Sequence, residues 1–306
     1  MKDSRNDFPA GFWRLADPKI SLASFAGLFL AASFAARDEG LSLGWFALTV
    51  LGVFCVEVAK NASGEVVDFD SGTDLAIRDS ERSPFSGGKR VLVDGLLSRE
   101  QAWGIAAVGF MAAIVIGLVI VAFREPRVLA IGLTGIALAW YYHGGSLRLS
   151  YRGLGELAVA LAYGPLVVLG AYLVQTGYLS ALLVHLAMIL GLLVAAFLWI
   201  NEFPDYRADK AAGKNNLVVR LGPERAAMAY VTLVTSAYVW LGLLVVTQPA
   251  GQVLWPGLLG AAPATFSIWR LLDFEGDVGR LVPAQAAALV SFLLMAIGSG
   301  IGYVLS

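Results

Sequence analysis

The sequence predicts an all-α, polytopic membrane protein: a single bundle of nine transmembrane helices spanning 1–306. Two observations carry this reading. Of 306 residues 58% are hydrophobic and only 15% charged, whereas soluble chains average about 45–50% apolar and about 25% charged. Several uncharged windows also reach about 18 residues, the length a helix needs to cross roughly 30 Å of hydrocarbon.

Taken in order, residues 1–18 carry Asp3, Arg5, Asp7, Pro9 and Asp17, lack the continuous apolar run of a secretory signal, and read as a cytoplasmic tail. Apolar runs bounded by Gly, Pro and charge then place helices at about 19–36, 43–66, 99–123, 127–142, 153–175, 179–203, 223–247, 252–270 and 282–305. Nine spans put the two termini on opposite sides. The connections alternate between short ones and the longer polar segments 67–98, 143–152, 204–222 and 271–281.

Eighteen of the 22 Lys and Arg fall in the tail, the long connections and their helix ends; only Arg37, Arg124 and Arg127 fall on the other face, and Lys60 lies inside the second helix. The excess of Lys and Arg on cytoplasmic segments sets the orientation. The long loops are therefore expected in the cytoplasm, and the protein in the cell (inner) membrane. A formal net charge of -1 argues against a nucleic-acid surface. Cys55 is the only cysteine, which excludes an internal disulfide or a cysteine-based metal cluster. No protein partner is implied.

Ionisable residues at membrane depth are costly and usually face a functional cavity, so two acidic clusters carry most of the information. In KNASGEVVDFDSGTD (60–74), Asn61, Glu65 and Asp68 share one helix face, and Asp70 and Asp74 follow in a glycine-containing turn. In NEFPDYRADKAAGKNNLVVRLG (201–222), Asn201, Asp205 and Asp209 share one face if the helix continues through Pro204. Mg²⁺ takes one or two carboxylates and completes its octahedron with water and phosphate oxygens. Paired acidic motifs therefore suit a diphosphate bridged through Mg²⁺, with cations on the remaining oxygens. Lys89 and Arg90 in SPFSGGKR, Arg148 and Arg152 in GGSLRLSYRG, and Lys210, Lys214 and Arg220 after the second motif are the available cations. Each also suits an ordinary positively charged loop.

These residues resemble the UbiA superfamily of intramembrane prenyltransferases. NEFPDYRAD and the following KAAGKNNLVVRLG match that family's second motif at Asn201, Asp205 and Asp209, and residues 151–177 look most like the 1,4-dihydroxy-2-naphthoate polyprenyltransferases of menaquinone synthesis. The first motif departs from the pattern. Asp68 and Asp74 keep the menaquinone-branch spacing, but the Asn expected four residues before Asp68 is Gly64, with Glu65 following and Asn61 one turn earlier.

The resemblance implies nine helices and Mg²⁺-dependent transfer of a polyprenyl group from an isoprenyl diphosphate to an aromatic acceptor within the lipid bilayer. It implies Asp68, Asp74, Asp205 and Asp209 as the catalytic, Mg²⁺-holding acids, with Asn61, Glu65 and Asn201 as further ligands. Glu65 ranks above Asp70 in that role. Tyr142, His143 and Tyr151 are expected at the acceptor or prenyl pocket; Tyr141, Tyr163 and Trp199 are also available as lining. Neither His143 nor His185 has an acidic neighbour in sequence, which argues against a general base. The same motifs fit acceptors such as 4-hydroxybenzoate, homogentisate, a porphyrin or a lipid headgroup. A transporter is the alternative from another class, though the acids sit at helix ends rather than at a midplane break.

Overall fold

Backbone polar groups at membrane depth find no water, so the chain satisfies them within helices. The computed structural model describes residues 7–306, and among them there are thirteen α-helices and no strands. Residues 1–6, with Lys2 and Arg5, and the side chains of Lys19 and Ile20 lie outside the described residues. The helices are α1 (Phe8–Ala16), α2 (Pro18–Asp38), α3 (Leu43–Asp70), α4 (Thr73–Ala76), α5 (Arg99–Phe123), α6 (Val128–His143), α7 (Gly155–Leu161), α8 (Val167–Thr176), α9 (Ala181–Ala211), α10 (Leu217–Leu221), α11 (Pro223–Thr247), α12 (Ala261–Leu272) and α13 (Val278–Val304).

Every region expected to span the membrane is helical, but the described residues contain only six helical segments long and apolar enough to cross by themselves. These are α3, α5, the α7–α8 unit, α9, α11 and α13; the bent pair α1–α2 makes a seventh. The other two expected spans differ for physical reasons. α6 has only 16 residues. The region expected at 252–270 begins as a 3₁₀ stretch, Pro249–Gly260, and becomes α-helical only in α12. Small residues bring this stretch against α13: a Cβ on Gly257 would lie 2.9 Å from the Met295 carbonyl oxygen, and one on Gly298 2.6 Å from the Pro256 carbonyl carbon.

Two helices outrun their apolar patterns and carry the acidic clusters out on rigid ends. α3 continues to Asp70, and α9 runs through Pro204 to Ala211. α9 is also the central helix, with 61% of its most apolar window buried against 17% for α5, whose Val108, Met111, Val115 and Leu118 face outward as a lipid surface. Gly191 of α9 meets the α7–α8 unit at backbone contact: a Cβ there would run into the Ala160 carbonyl. At that crossing the unit widens into a π-turn, Ala162–Leu166, which accommodates Pro165.

The expected tail is structured where it is described. Asp7 caps α1, its carboxylate accepting from the Ala10 amide at 3.1 Å. Leu15 is fully buried among Ala62, Val91, Leu97 and Ala106, a small second core. α1 thus covers the loop that follows α3.

Candidate active site

The ends of α3, α6 and α9, the loop around 82–89 and the α1–α2 junction enclose a cavity of about 610 Å³. Spacing along α3 and α9 puts Asn61, Glu65 and Asp68 on one wall and Asn201, Asp205 and Asp209 on another; the turn after α3 returns Asp74. Lys89, Lys214, Tyr142 and His143 also line the cavity.

The carboxylates are held differently. Asp68 Oδ1 accepts from the Tyr151 hydroxyl at 2.7 Å, while His143 Nε2 stands 3.7 Å from Oδ2. The Tyr151 hydroxyl is within 2.8 Å of Ser71 Oγ and 3.2 Å of Thr73 Oγ1. Asp209 Oδ2 accepts from Asn216 Nδ2 at 2.8 Å, and Oδ1 lies 3.6 Å from Lys214 Nζ. Asp205 Oδ2 receives the Gly87 amide at 3.3 Å, whereas Oδ1 is buried without a hydrogen-bond partner among the described residues. Asn201 Oδ1 is in the same condition, whereas Glu202 lies against the Glu156 carboxyl. Buried acceptors left unpaired are costly.

Electrostatics outside the spans follow from this crowding of acids. Burial, then the charges of Asp68 and Glu65, push the Asp74 carboxyl up to about 8. Burial would lower Lys214, but Asp209 and Asp68 hold its ammonium well above the usual lysine range, so it stays charged. Burial and the Asp68 charge raise the Tyr151 phenol, which keeps its hydroxyl a donor.

The structure brings some expected residues together and separates others. Lys89 faces the cavity but is paired with Asp17 at 2.6 Å. Asn61 donates to the Leu15 carbonyl at 2.8 Å, and Glu65 accepts from the Leu92 amide at 2.8 Å, so both also tie neighbouring segments to α3. Arg90, Arg148, Lys210 and Tyr151 are not in the lining. Arg90 donates to the Ile77 carbonyl and lies 3.8 Å from Asp94; Arg148 stacks 3.8 Å over the Tyr151 ring; Lys210 is exposed beside Tyr206. Asp70 pairs outside with Arg99 at 2.7 Å.

Sequence reasoning missed Asp17, Gly87 and Glu202 as lining residues. Glu202 was legible as the acid beside Asn201. Gly87 lies in the SPFSGGKR segment already singled out for its cations, whereas Asp17, in the tail, gave no signal. His143 does have an acidic neighbour, Asp68, but it lies 75 positions away in the chain.

Four residues, Lys60, Tyr142, Val159 and Tyr163, belong both to this polar cavity and to an adjoining apolar groove. The groove, of about 250 Å³, runs among α3, α5, α6 and the α7–α8 unit toward Val128 and Val174.

Among the described residues no three His, Cys, Asp or Glu side chains cluster into a metal cage. Mg²⁺ binds through one or two carboxylates and takes the rest of its shell from water and phosphate. The unpaired oxygens of Asp205 and Asn201 are both acceptors, so the donor set fits a hard cation.

Membrane-length helices around a buried acidic chamber define the class: a multi-pass membrane protein with an internal polar site that opens into an apolar groove. The chain belongs to the UbiA prenyltransferase family, whose model matches residues 25–293, and it is a prenyltransferase enzyme. The 1,4-dihydroxy-2-naphthoate octaprenyltransferase of Mycobacterium tuberculosis is 32% identical over 237 residues, covering 76% of this chain and 78% of that protein. The protein of the same name from Bacillus subtilis is 25% identical over 294 residues, covering 95% and 92%. The 2-carboxy-1,4-naphthoquinone phytyltransferase of Synechocystis is 29% identical over 235 residues, covering 75% and 72%. Several solved structures share the fold, two UbiA homologs among them. One is a UbiA homolog from Archaeoglobus fulgidus bound to GPP and Mg²⁺, with TM-score 0.66 and 16% identity over 94% of this chain and 99% of that one. The other is the apo UbiA homolog from Aeropyrum pernix K1, with TM-score 0.68 and 20% identity over 92% and 96%.

Proposed function

We propose that this prenyltransferase moves a polyprenyl group from its allylic diphosphate to an aromatic acceptor, 1,4-dihydroxy-2-naphthoate, in a Mg²⁺-dependent reaction of the nine-helix family bundle. The observation that carries the reading is the junction of two environments: an acidic chamber that continues through Lys60, Tyr142, Val159 and Tyr163 into an apolar groove. A diphosphate with a long hydrocarbon tail has those two parts in that order.

Asp68, Asp74, Asp205 and Asp209 would hold Mg²⁺, with Asn201 beside them; Asn61 and Glu65 act from the same wall while anchoring Leu15 and Leu92. Bound Mg²⁺ would neutralise charge growing on the departing diphosphate. Lys214 and Lys89 bind the remaining phosphate oxygens, whereas Arg90, Arg148 and Lys210, expected there from the sequence, lie outside the cavity lining and take no phosphate contact. The bond between the allylic carbon and the diphosphate oxygen breaks with its electron pair on oxygen, a ring carbon of the acceptor supplies the pair for the new carbon–carbon bond, and the carboxyl group on that carbon leaves as CO2, its bonding pair restoring the aromatic ring. Tyr142, His143 and Tyr163 line the chamber near the groove and exclude water from the allylic cation, with aromatic faces toward positive charge. Tyr151 acts through Asp68. The acidic face is cytoplasmic and the protein resides in the cell membrane, since the Lys and Arg excess lies on that side.

Asp205→Ala tests the assignment. Turnover is expected to vanish while the purified variant keeps the wild-type melting temperature in detergent; retained activity would overturn it.

A further inference from the structure

Gly64 is an ordinary helical residue with no positive φ, so the freedom of glycine does not explain it. Space does. A Cβ at 64 would lie 2.7 Å from Cε1 and 3.0 Å from Cγ of the His143 ring, and closer still to Nδ1. Real side chains do not approach so closely, so the imidazole occupies the room a side chain at 64 would need. His143, the last residue of α6, thereby lies against α3 one turn before Asp68, on the cavity wall. Its ring packs edge-on against Tyr142 with centroids 4.6 Å apart, and Nδ1 is buried against the helix without a hydrogen-bond partner among the described residues. Nε2 is the nitrogen on the Asp68 side, 3.7 Å from Oδ2.

We propose that His143 is a positioning residue for Asp68 and that glycine at 64 is there to admit it. The Asp68 carboxylate has a Tyr151 hydroxyl on one oxygen and the His143 imidazole facing the other, so its plane is set by two side chains from outside α3. At 3.7 Å the second contact is longer than a hydrogen bond. Catalytic contacts of this kind are often long before the ligand binds, so the distance does not count against the role. The inference rests on the reading of Asp68 as a carboxylate that holds cation and diphosphate.

The test is a set of variants in detergent, read by the Mg²⁺ dependence of binding of a non-reactive geranylgeranyl diphosphonate and by steady-state kinetics. His143→Ala is expected to weaken Mg²⁺-dependent binding by about ten- to a hundredfold, the usual effect of losing a group that orients a ligand. His143→Asn, which keeps a polar group toward Asp68, recovers most of the loss. Gly64→Ala displaces the ring and weakens binding in the same direction. Added to His143→Ala it costs nothing further, since both changes remove one contact.

Unchanged binding in His143→Ala would overturn the inference, as would losses that add in the double variant. So would a fall in melting temperature with Mg²⁺ dependence intact, which marks a packing role, or a raised acceptor KM alone, which marks an acceptor contact. Asp68→Ala separates the two readings: normal Mg²⁺-dependent binding there sinks the site assignment itself. Lost binding there, with His143→Ala normal, sinks only the role of His143.

Discussion

Tyr151→Phe isolates the support of one carboxylate without touching the cavity lining. The substitution removes the hydroxyl that donates to Asp68 Oδ1 at 2.7 Å and keeps the ring over which Arg148 stacks at 3.8 Å. A hydrogen bond to a charged group contributes about 1.5–3 kcal/mol. At about 1.4 kcal/mol per factor of ten, that corresponds to a ten- to hundredfold loss. Ser71 and Thr73 are within 2.8 and 3.2 Å of the lost hydroxyl. Their hydroxyls are near enough to compensate in part, so the lower end, about tenfold, is the expected weakening of Mg²⁺-dependent diphosphate binding. Isothermal titration in detergent, with and without Mg²⁺, measures it. Because burial and the Asp68 charge raise the Tyr151 phenol, it remains a donor at neutral pH and the effect should be flat between about pH 6 and 8. A change smaller than about twofold would refute the reasoning that Tyr151 orients Asp68.

Further outcomes follow from the same geometry. Asp74 is pushed up to about 8, so below that pH it carries a proton that cation binding must displace. Mg²⁺ affinity should strengthen as pH rises from 6 to 8 and then level off; titrations in buffers of different ionisation heat count the released proton, and a flat profile contradicts the prediction. Gly135 lines the apolar groove with open space where a side chain would stand. Gly135→Phe should weaken a geranylgeranyl donor much more than a dimethylallyl donor, measured as the ratio of kcat/KM values, and an unchanged ratio would move the tail elsewhere. Gly191→Ala drives a methyl into the Ala160 carbonyl where α9 crosses the α7–α8 unit. A destabilisation of about 1–3 kcal/mol is expected, seen as a lower melting temperature.

The parts of the fold that depend on one segment at a time were legible in the sequence. Uncharged runs mark α3, α5, α9, α11 and α13, and the spacing of Asn201, Asp205 and Asp209 holds because α9 continues through Pro204. What depends on two distant segments was not legible. Lys89 finds Asp17 across 72 positions, and Tyr151 finds Asp68 across 83; no periodicity encodes either. The departure at Gly64 is visible in the sequence, but its cause, the His143 ring, belongs to another helix. Arg90, Arg148 and Lys210 illustrate the converse. A cation in the right loop satisfies the pattern, yet the left-handed backbone of Arg90 and Arg148 accompanies side chains absent from the cavity lining. The helix α1 within the tail was not legible, because it is short and is held by Leu15 under the loop after α3 rather than by a long apolar run of its own.

The central claim is Mg²⁺-dependent prenyl transfer to a naphthoate acceptor. Its most direct test incubates purified protein in detergent with farnesyl or geranylgeranyl diphosphate and, separately, 1,4-dihydroxy-2-naphthoate or 4-hydroxybenzoate, with Mg²⁺ present or chelated. The account predicts prenylated naphthoquinol alone, lost on chelation and lost in Asp205→Ala. Prenylated 4-hydroxybenzoate, or transfer that survives chelation, would contradict it.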